Sequence, residues 1–455
     1  MAKAKLDEAI FKAYDIRGIY PSQIDEGTAL AVGCAFGRYI GKGKKVAACM
    51  DVRLSSPSLH KNFLEGFSDS EPKLVDIGVA PTPVAYFAWN YYGFEAGVMI
   101  TASHNPKEYN GFKFWDRKGW VSMESGLGKI KEMATSGTKC NSRKMNIEER
   151  HLQTLDDYGR FVLSKAKVKK GIKIAIDPGN GSYCNLARKI LEKAGVEVVE
   201  INGSPDGNFP GRAPEPKQES LGELISIVTD GGLDFGIGYD ADGDRGIFVD
   251  SRGRVLRGDF ALAIFVANML KGGSKVVYDV SCSDAVIDVV KKAGGVPVVT
   301  KVGRTYILAA MAREKAALGG EISGHMYFAD AYYGDDPLFA TMKMAGILSS
   351  KGKSLSQLVD ELPRYETVAL ELHAEDSVKF RIVELLTKEL SEQGDEVITI
   401  DGIKVVTGKG WFIMRASNTT PIIRLIAEAK SKKELDALVD YAKAKFEKAY
   451  NKLGR

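Results

Sequence analysis

The chain has 455 residues, more than one hydrophobic core usually holds, so about three or four domains are expected. Its hydrophobic fraction of 44%, charged fraction of 27% and net charge of +4 are those of an ordinary globular protein, and the absence of a long Lys/Arg run excludes a compositional case for nucleic acid or membrane as partner. The five cysteines (Cys34, Cys49, Cys140, Cys184, Cys282) show no CxxC or zinc spacing, residues 1–11 carry charges throughout, and no apolar run has the length of a bilayer span; a reduced, cytoplasmic protein without signal peptide is expected.

In chain order, short β-rich runs alternate with helical periodicities. Residues 46–50, 74–79, 98–100 and 112–115 predict strands, and 28–40 and 57–67 predict helices between them. That alternation calls for a parallel or mixed sheet covered by helices. A polar stretch at 139–150 reads as a linker in which a helix restarts. The pattern resumes with strand 172–176, helix 184–194 and strand 196–201, then a Pro/Gly-rich loop at 203–216 and strands 235–239 and 246–249. A third round takes helix 260–270, strand 276–280, helix 284–292, strand 296–302 and helix 306–315. The C-terminal part differs: strands 368–372, 397–400, 402–406 and 411–415 lie close together, with helices at 377–390 and 435–452, an α+β pattern with a mostly antiparallel sheet. The expected fold is α/β: three related mixed-sheet α/β domains at 1–148, 149–252 and 253–363, plus a smaller α+β domain at 364–455. The last joins through one connection near Pro363 and is expected to be the mobile one.

Four loops carry chemistry. Val98 to Ile100 run into Thr101-Ala102-Ser103-His104-Asn105-Pro106, where Asn-Pro breaks the strand and leaves Ser103 at a strand end, the usual place for a ligand in open α/β sheets. Asp240-Ala241-Asp242-Gly243-Asp244-Arg245 sets three carboxylates at alternate positions, suited to one hard divalent cation, with a guanidinium suited to phosphate. It is not an EF-hand: Arg245 stands at the turn-glycine position, Ser251 at the twelfth, and strands flank it. Nor is Gly236 to Ala241 a dinucleotide fingerprint, since Asp240 would repel a pyrophosphate. In Gly319-Gly320-Glu321-Ile322-Ser323-Gly324-His325 the polar residues alternate and share one side of an extended backbone, where a carboxylate can accept from two adjacent sugar hydroxyls. Arg415-Ala416-Ser417-Asn418-Thr419-Thr420 gathers a guanidinium, hydroxyls and an amide into an anion nest. Each loop alone reads equally as a polar turn; together, one in each predicted domain, they supply a phosphate carrier, a metal site, a polyol reader and a phosphate anchor, for which a cleft between domains is the natural meeting place.

With these residues the chain resembles the α-D-phosphohexomutase superfamily, most closely its phosphomannomutase/phosphoglucomutase branch. Tyr14 and Arg17 in Ala13-Tyr14-Asp15-Ile16-Arg17-Gly18, and Lys113 in Asn110-Gly111-Phe112-Lys113, match further motifs. Two positions depart: Ser281 stands where a Lys often follows the Tyr-Asp-Val strand, and Arg304 where a His often follows Lys-Val-Gly. The resemblance implies three related α/β domains and a smaller fourth around a deep central cleft. It implies interconversion of hexose 1-phosphate and 6-phosphate, for mannose and/or glucose, by a phosphorylated Ser103 through a hexose 1,6-bisphosphate. Mg²⁺ would be held by Ser103, Asp240, Asp242 and Asp244; Lys113 and Arg245 would stabilise the transferring group. His325 and Lys113 both remain candidates for the base. Glu321, Ser323 and His325 would read the sugar, Arg415, Ser417, Asn418 and Thr419 would anchor the other phosphate, and Tyr14, Arg17 and Arg304 complete the substrate site. The expected partner is a small phosphosugar, and the expected state a monomer. A phosphoglucosamine mutase and a metal-dependent sugar phosphatase are the alternatives.

Overall fold

The computed structural model describes residues 6–137, 139–169, 171–392, 396–417 and 421–453. They belong to two compact units, Met1–Gly258 with Ser323–Asp360, and Asp259–Ile322 with Glu361–Arg455. Among the described residues no helix is long and apolar enough to cross a membrane.

In the first unit, β1 (Ile16–Ile19), β2 (Lys45–Met50), β3 (Lys73–Val79), β4 (Ala96–Ile100), β5 (Tyr109–Asp116), β6 (Gly119–Trp120) and β7 (Ile147–Glu149) form one mixed sheet in the order β1-β5-β4-β2-β3-β7, with β6 on β5. β2 runs parallel to β3 and β4, while β5 runs antiparallel to β4 and β1. All five positions of β4 are buried, which is why its sequence is apolar without alternation. Helices Glu26–Ile40 and Ser56–Phe67 cover the sheet through a core that includes Phe36, Phe63, Phe67, Phe112 and Phe114. They cross closely: a Cβ on Gly33 would come 2.1 Å from Phe63 O, and one on Gly66 would come 2.0 Å from Leu30 O.

The second sheet takes β8 (Lys173–Asp177), β9 (Glu197–Glu200), β10 (Phe235–Tyr239) and β11 (Gly246–Asp250) in the order β11-β10-β8-β9. β10 and β11 form an antiparallel pair, so residues 240–245 are the turn between them. The helix expected from 184 begins at Ala187, because Asn185 adopts a left-handed conformation (φ 62°) and delays it. Helices Thr82–Tyr91 and Pro337–Lys351 carry buried residues on nearly every turn. Such helices show no polar face and therefore no sequence period.

In the second unit, β12 (Lys275–Asp279) is flanked by β13 (Val296–Thr300) and β14 (Leu318–Gly320), all parallel. The C-terminal domain is a five-stranded antiparallel sheet in the order Glu366–His373, Ile422–Ala429, Gly410–Ala416, Ile403–Thr407, Glu396–Ile398. Strand alternation divides its work. Phe412 and Met414 pack with helices Lys379–Glu392 and Lys432–Leu453, whereas Trp411 and Ile413 cluster with Val280 of the β12 end. Lys404 Nζ lies 3.6 Å from the Trp411 ring centre and donates to Val280 O at 3.2 Å. Trp411 Nε1 and the Asp284 N–H both donate to Glu428 Oε1, at 3.1 and 2.8 Å. The C-terminal domain expected to move by itself is thus joined to the third domain by an apolar contact and a buried polar network.

Cys49, Cys184 and Cys282 are free and buried, but Cys34 and Cys140 form a disulfide, against the expectation that all five are reduced. Their separation of 106 residues hides the pairing from any spacing rule.

Candidate active site

Ser103 follows β4 directly and is buried. Its φ of 54° is a left-handed value that a non-glycine residue holds at a cost and that its surroundings must impose. The Ser103 N–H donates to Thr101 Oγ1 at 2.8 Å, and Ser103 Oγ lies 3.3 Å from Asp240 Oδ2 and 3.3 Å from His104 Nδ1. Burial, then the positive charges of Arg245 and Arg17, push His104 well below the ordinary histidine range, so it is neutral. Arg17 is paired with Asp15 at 2.7 Å and donates to Asn105 Oδ1 at 2.8 Å, which ties β1 to the serine loop. Tyr14 is half-buried in the turn before β1.

The turn between β10 and β11 is tight. Gly243 takes φ 75°, and a Cβ there would meet the Tyr183 ring at 2.7 Å. Asp240, Asp242 and Asp244 are all buried, with ligand oxygens within 4.8 Å of one another. Lys113 on β5 places Nζ 2.7 Å from Asp242 Oδ2 and 2.6 Å from Asp244 Oδ2. Thr82 secures the same turn through its N–H to Asp242 O at 2.8 Å and its hydroxyl to Asp242 Oδ2 at 2.7 Å. Asp242 Oδ1 remains buried without a hydrogen-bond partner. Burial, then the charges of Asp244 and Asp242, push Asp240 well above the usual carboxylate range. An all-oxygen set with an orphaned carboxylate oxygen and excess negative charge suits a hard divalent cation.

His325 Nδ1 is 2.8 Å from Asp335 Oδ2, and His325 Nε2 accepts from Arg245 Nε at 3.0 Å. Because a guanidinium only donates, the Arg245 contact assigns the acceptor lone pair to Nε2 and, in the neutral ring, the proton to Nδ1. The Arg245 N–H also donates to Asp240 Oδ1 at 3.1 Å, so one residue links the acidic turn to His325.

In the second unit, Glu321 is buried just after β14 and accepts the Gly303 N–H at 2.9 Å. Arg304, the next residue, opens helix Arg304–Glu314. The Val302 N–H donates to Asp401 Oδ2 at 3.1 Å, and Arg415 pairs with that same oxygen at 3.4 Å. Glu321, Arg304 and Arg415 are thereby gathered through one backbone segment and Asp401. Ser281 N–H donates to Asp279 Oδ1 at 2.8 Å, and burial followed by the Glu321 charge pushes Asp279 up to about 6. Ser417 is buried and its N–H donates to Ile422 O at 2.9 Å. Asn418 and Thr419 lie outside the described residues. Ser323 is half-buried in the turn two residues before His325.

The structure therefore brings together Ser103, Lys113, the three aspartates, Arg245 and His325, with Arg17 attached through Asn105. Sequence reasoning missed His104, Thr82, Asp335 and Asp401. Only His104, adjacent to Ser103, carried a usable signal; Thr82 meets Asp242 across 160 residues.

Three α/β domains followed by a smaller α+β domain, with a serine loop set against a buried acidic turn, define the class of α-D-phosphohexomutases. Four models of one family match in chain order: phosphoglucomutase/phosphomannomutase α/β/α domain I over residues 8–140, domain II over 149–253, domain III over 257–365 and the C-terminal domain over 357–445. The chain belongs to the phosphoglucomutase/phosphomannomutase family. A phosphomannomutase/phosphoglucomutase of Pseudomonas syringae pv. tomato is 34% identical over 443 residues, covering 95% of this chain and 94% of its own. A probable phosphoglucosamine mutase of Methanopyrus kandleri is 34% identical over 434 residues, covering 94% and 96%. The crystal structure of a phosphoglucomutase/phosphomannomutase family protein from Burkholderia thailandensis matches with a TM-score of 0.89 at 31% identity, covering 98% of both chains.

Proposed function

We propose that this chain is a phosphohexomutase that interconverts the 1-phosphate and 6-phosphate of mannose and/or glucose. The observation that carries the reading is Ser103 Oγ, 3.3 Å from Asp240 in a carboxylate cluster that also binds Lys113. Phosphorylated Ser103 donates its phosphoryl group to the free sugar hydroxyl: the bond from phosphorus to Oγ breaks and one to the sugar oxygen forms. The resulting hexose 1,6-bisphosphate reorients and returns its other phosphoryl group to Ser103. Transfer of this kind needs alignment and charge more than covalent help. Asp240, Asp242 and Asp244, with an oxygen of phosphorylated Ser103, are the residues that would hold Mg²⁺, which when bound supplies positive charge against the phosphoryl oxygens. Lys113 and Arg245 add cationic charge.

The sugar hydroxyl must lose a proton. Lys113 is engaged by two carboxylates and serves as a charge. His325 suits the base: Asp335 Oδ2 lies 2.8 Å from Nδ1, and Nε2 is left to exchange Arg245 for the sugar hydroxyl. Glu321 and Ser323 read sugar hydroxyls, Arg415, Ser417, Asn418 and Thr419 hold the non-reacting phosphate, and Arg17, Tyr14 and Arg304 complete recognition. Glucose and mannose share the C3 and C4 hydroxyls assigned to Glu321 and Ser323, so both are turned over. The relative from Methanopyrus kandleri supports glucosamine phosphate as a second reading, although Ile322 stands where the sugar loop of that branch typically carries a polar residue.

A coupled assay with glucose, mannose and glucosamine 1-phosphates, each with glucose 1,6-bisphosphate present, tests this. The first two should give kcat/KM values within about a thousandfold of each other, roughly 4 kcal/mol. Inorganic phosphate appearing in step with substrate loss would identify a phosphatase, and glucosamine 1-phosphate as the sole substrate would identify the second reading.

A further inference from the structure

Arg53 is absent from the residues assigned so far, and no part of its side chain reaches solvent, at 0% exposure. It lies just past β2, in Asp51-Val52-Arg53. Its Nε–H donates to Asp51 Oδ2 at 3.0 Å. One terminal nitrogen donates to Pro106 O and Tyr109 O, at 2.6 and 3.0 Å. The other donates to Ser103 O and Asn105 O, at 2.7 and 2.6 Å. A guanidinium has five N–H groups in a rigid fork, and here each has a partner. Four of the five go to backbone carbonyls of residues 103–109, the serine loop and the first residue of β5, beginning at the serine with φ 54°. The Asp51 carboxylate closes the circuit: its Oδ2 accepts from Thr101 Oγ1 at 2.7 Å, and Thr101 Oγ1 accepts the Ser103 N–H. Both peptide groups flanking the Ser103 side chain are thus tied to one buried ion pair. The Phe209 ring lies 5.3 Å from the guanidinium carbon.

The same device recurs on the other side of the reacting pair. Arg212 is buried, donates through Nε to Asp177 Oδ2 at 2.6 Å, and donates to Tyr239 O, the carbonyl immediately before Asp240. Asp51 and Asp177 both accept the N–H two residues on, Arg53 and Gly179, at 3.0 and 2.8 Å. Asp279 makes that turn in the third domain, to Ser281 N–H, but there its other oxygen accepts from the Cys282 thiol and the Ile322 N–H where Asp51 and Asp177 accept from an arginine. The arginine accompanies the aspartate in the two domains that supply Ser103 and Asp240.

We infer that Arg53 is a positioning residue for phosphoryl transfer: its guanidinium fixes the backbone of residues 103–109 so that Ser103 Oγ is aimed at Asp240. The inference rests on Ser103 being the phosphoryl carrier. Arg53 touches neither Ser103 Oγ nor a group assigned to substrate, so its loss should act on the chemical step and spare binding. A lysine can keep the charge beside Asp51 but cannot span four carbonyls.

The test uses the full-length enzyme carrying Arg53→Lys and, as a second variant that leaves no unpaired buried charge, Asp51→Asn combined with Arg53→Gln. Steady-state kinetics on glucose 1-phosphate with glucose 1,6-bisphosphate present are read beside circular dichroism, which reports folding. Both variants should fold, keep a KM close to that of the parent, and lose kcat by about 100-fold, the cost of a displacement of roughly 1 Å at a reacting atom. An unchanged kcat in either folded variant overturns the proposal. So does failure of both to fold, which would make Arg53 a residue of stability alone. Ser103→Ala run in parallel separates the two readings. Full activity in Ser103→Ala defeats the carrier assignment itself, whereas an inactive Ser103→Ala beside a fully active Arg53→Lys removes only the role given to Arg53.

Discussion

Three carboxylates crowded onto one turn repel one another until positive charge joins them, and Lys113 brings one such charge to Asp242 and Asp244. Asp242 is held from two sides, since Oδ2 accepts from both Lys113 and Thr82, while Oδ1 is buried with no hydrogen-bond partner. Asp242→Asn should therefore weaken Mg²⁺ binding by at least about tenfold and lower activity with it, without unfolding the protein. Titration calorimetry with Mg²⁺ beside the coupled assay checks this, and a rate untouched by excess chelator would remove the metal assignment. Glu321 makes a different demand. Its Oε1 already accepts the Gly303 N–H, which orients the carboxylate without neutralising it. Glu321→Ala should cost glucose and mannose 1-phosphates the same factor in kcat/KM, about 100-fold for lost charge-assisted hydrogen bonds. A selective loss for one sugar would mean that Glu321 senses C2.

Between elements, the crossing of helices Glu26–Ile40 and Ser56–Phe67 depends on two glycines that face backbone carbonyls. Alanine is the better helix former by about 1 kcal/mol. Even so, Gly33→Ala and Gly66→Ala should each destabilise the protein by about 2 kcal/mol or more, because a backbone oxygen near 2 Å from the new Cβ cannot yield as a side chain would. Urea unfolding of the two variants decides it, and a neutral effect would show that the helices can separate at no cost. The start of helix Pro337–Lys351 gives a pH test. Asp336 caps it by accepting the Phe339 N–H at 2.8 Å and also accepts from Tyr158 and Tyr183. Burial pushes its carboxyl up to about 6 from 3.8. The folded state then holds the proton more tightly than the unfolded chain, so this group favours folding in acid. That contribution is full below the unfolded value and is lost as pH rises through the folded one. Between pH of about 4 and 6, wild type should lose about 3 kcal/mol relative to Asp336→Asn, and the difference should then level off. Parallel unfolding curves for the two proteins across that window would contradict the shift.

At the scale of the whole molecule, residues 259–322 of the third domain lie in one compact unit with the fourth domain. Trp411 is 1% exposed against Val280, and opening that contact would strand Glu428 and Lys404 as well. Charges left buried without their partners are costly. The single connection near Pro363 suggests a fourth domain free to swing; the packing instead predicts that it travels with residues 259–322 of the third domain. Spin labels at the exposed Lys291 and Lys409 should keep the same distance distribution on addition of glucose 1-phosphate and glucose 1,6-bisphosphate. A shift in that distribution would restore independent motion.

By itself the sequence determined the alternation of strands and helices, the antiparallel C-terminal sheet, and the four loops. Strand 98–100, the run from Asp240 to Arg245 and the Gly-Gly-Glu loop were legible because phosphate, metal and sugar chemistry each need several particular side chains within a few residues of one another. Only the tertiary structure decided which of these loops meet and how each is held. It set Thr82 on Asp242, Asp335 behind His325, Arg53 beneath Ser103, Cys34 on Cys140 and Trp411 against Val280. It also supplied helices Thr82–Tyr91 and Pro337–Lys351, which are buried on nearly every turn. The physical reason is common to all of them. A periodic pattern records which face of an element meets water. A contact between two buried groups far apart in the chain leaves no mark on the spacing of either, and becomes visible only when the fold brings both to one place.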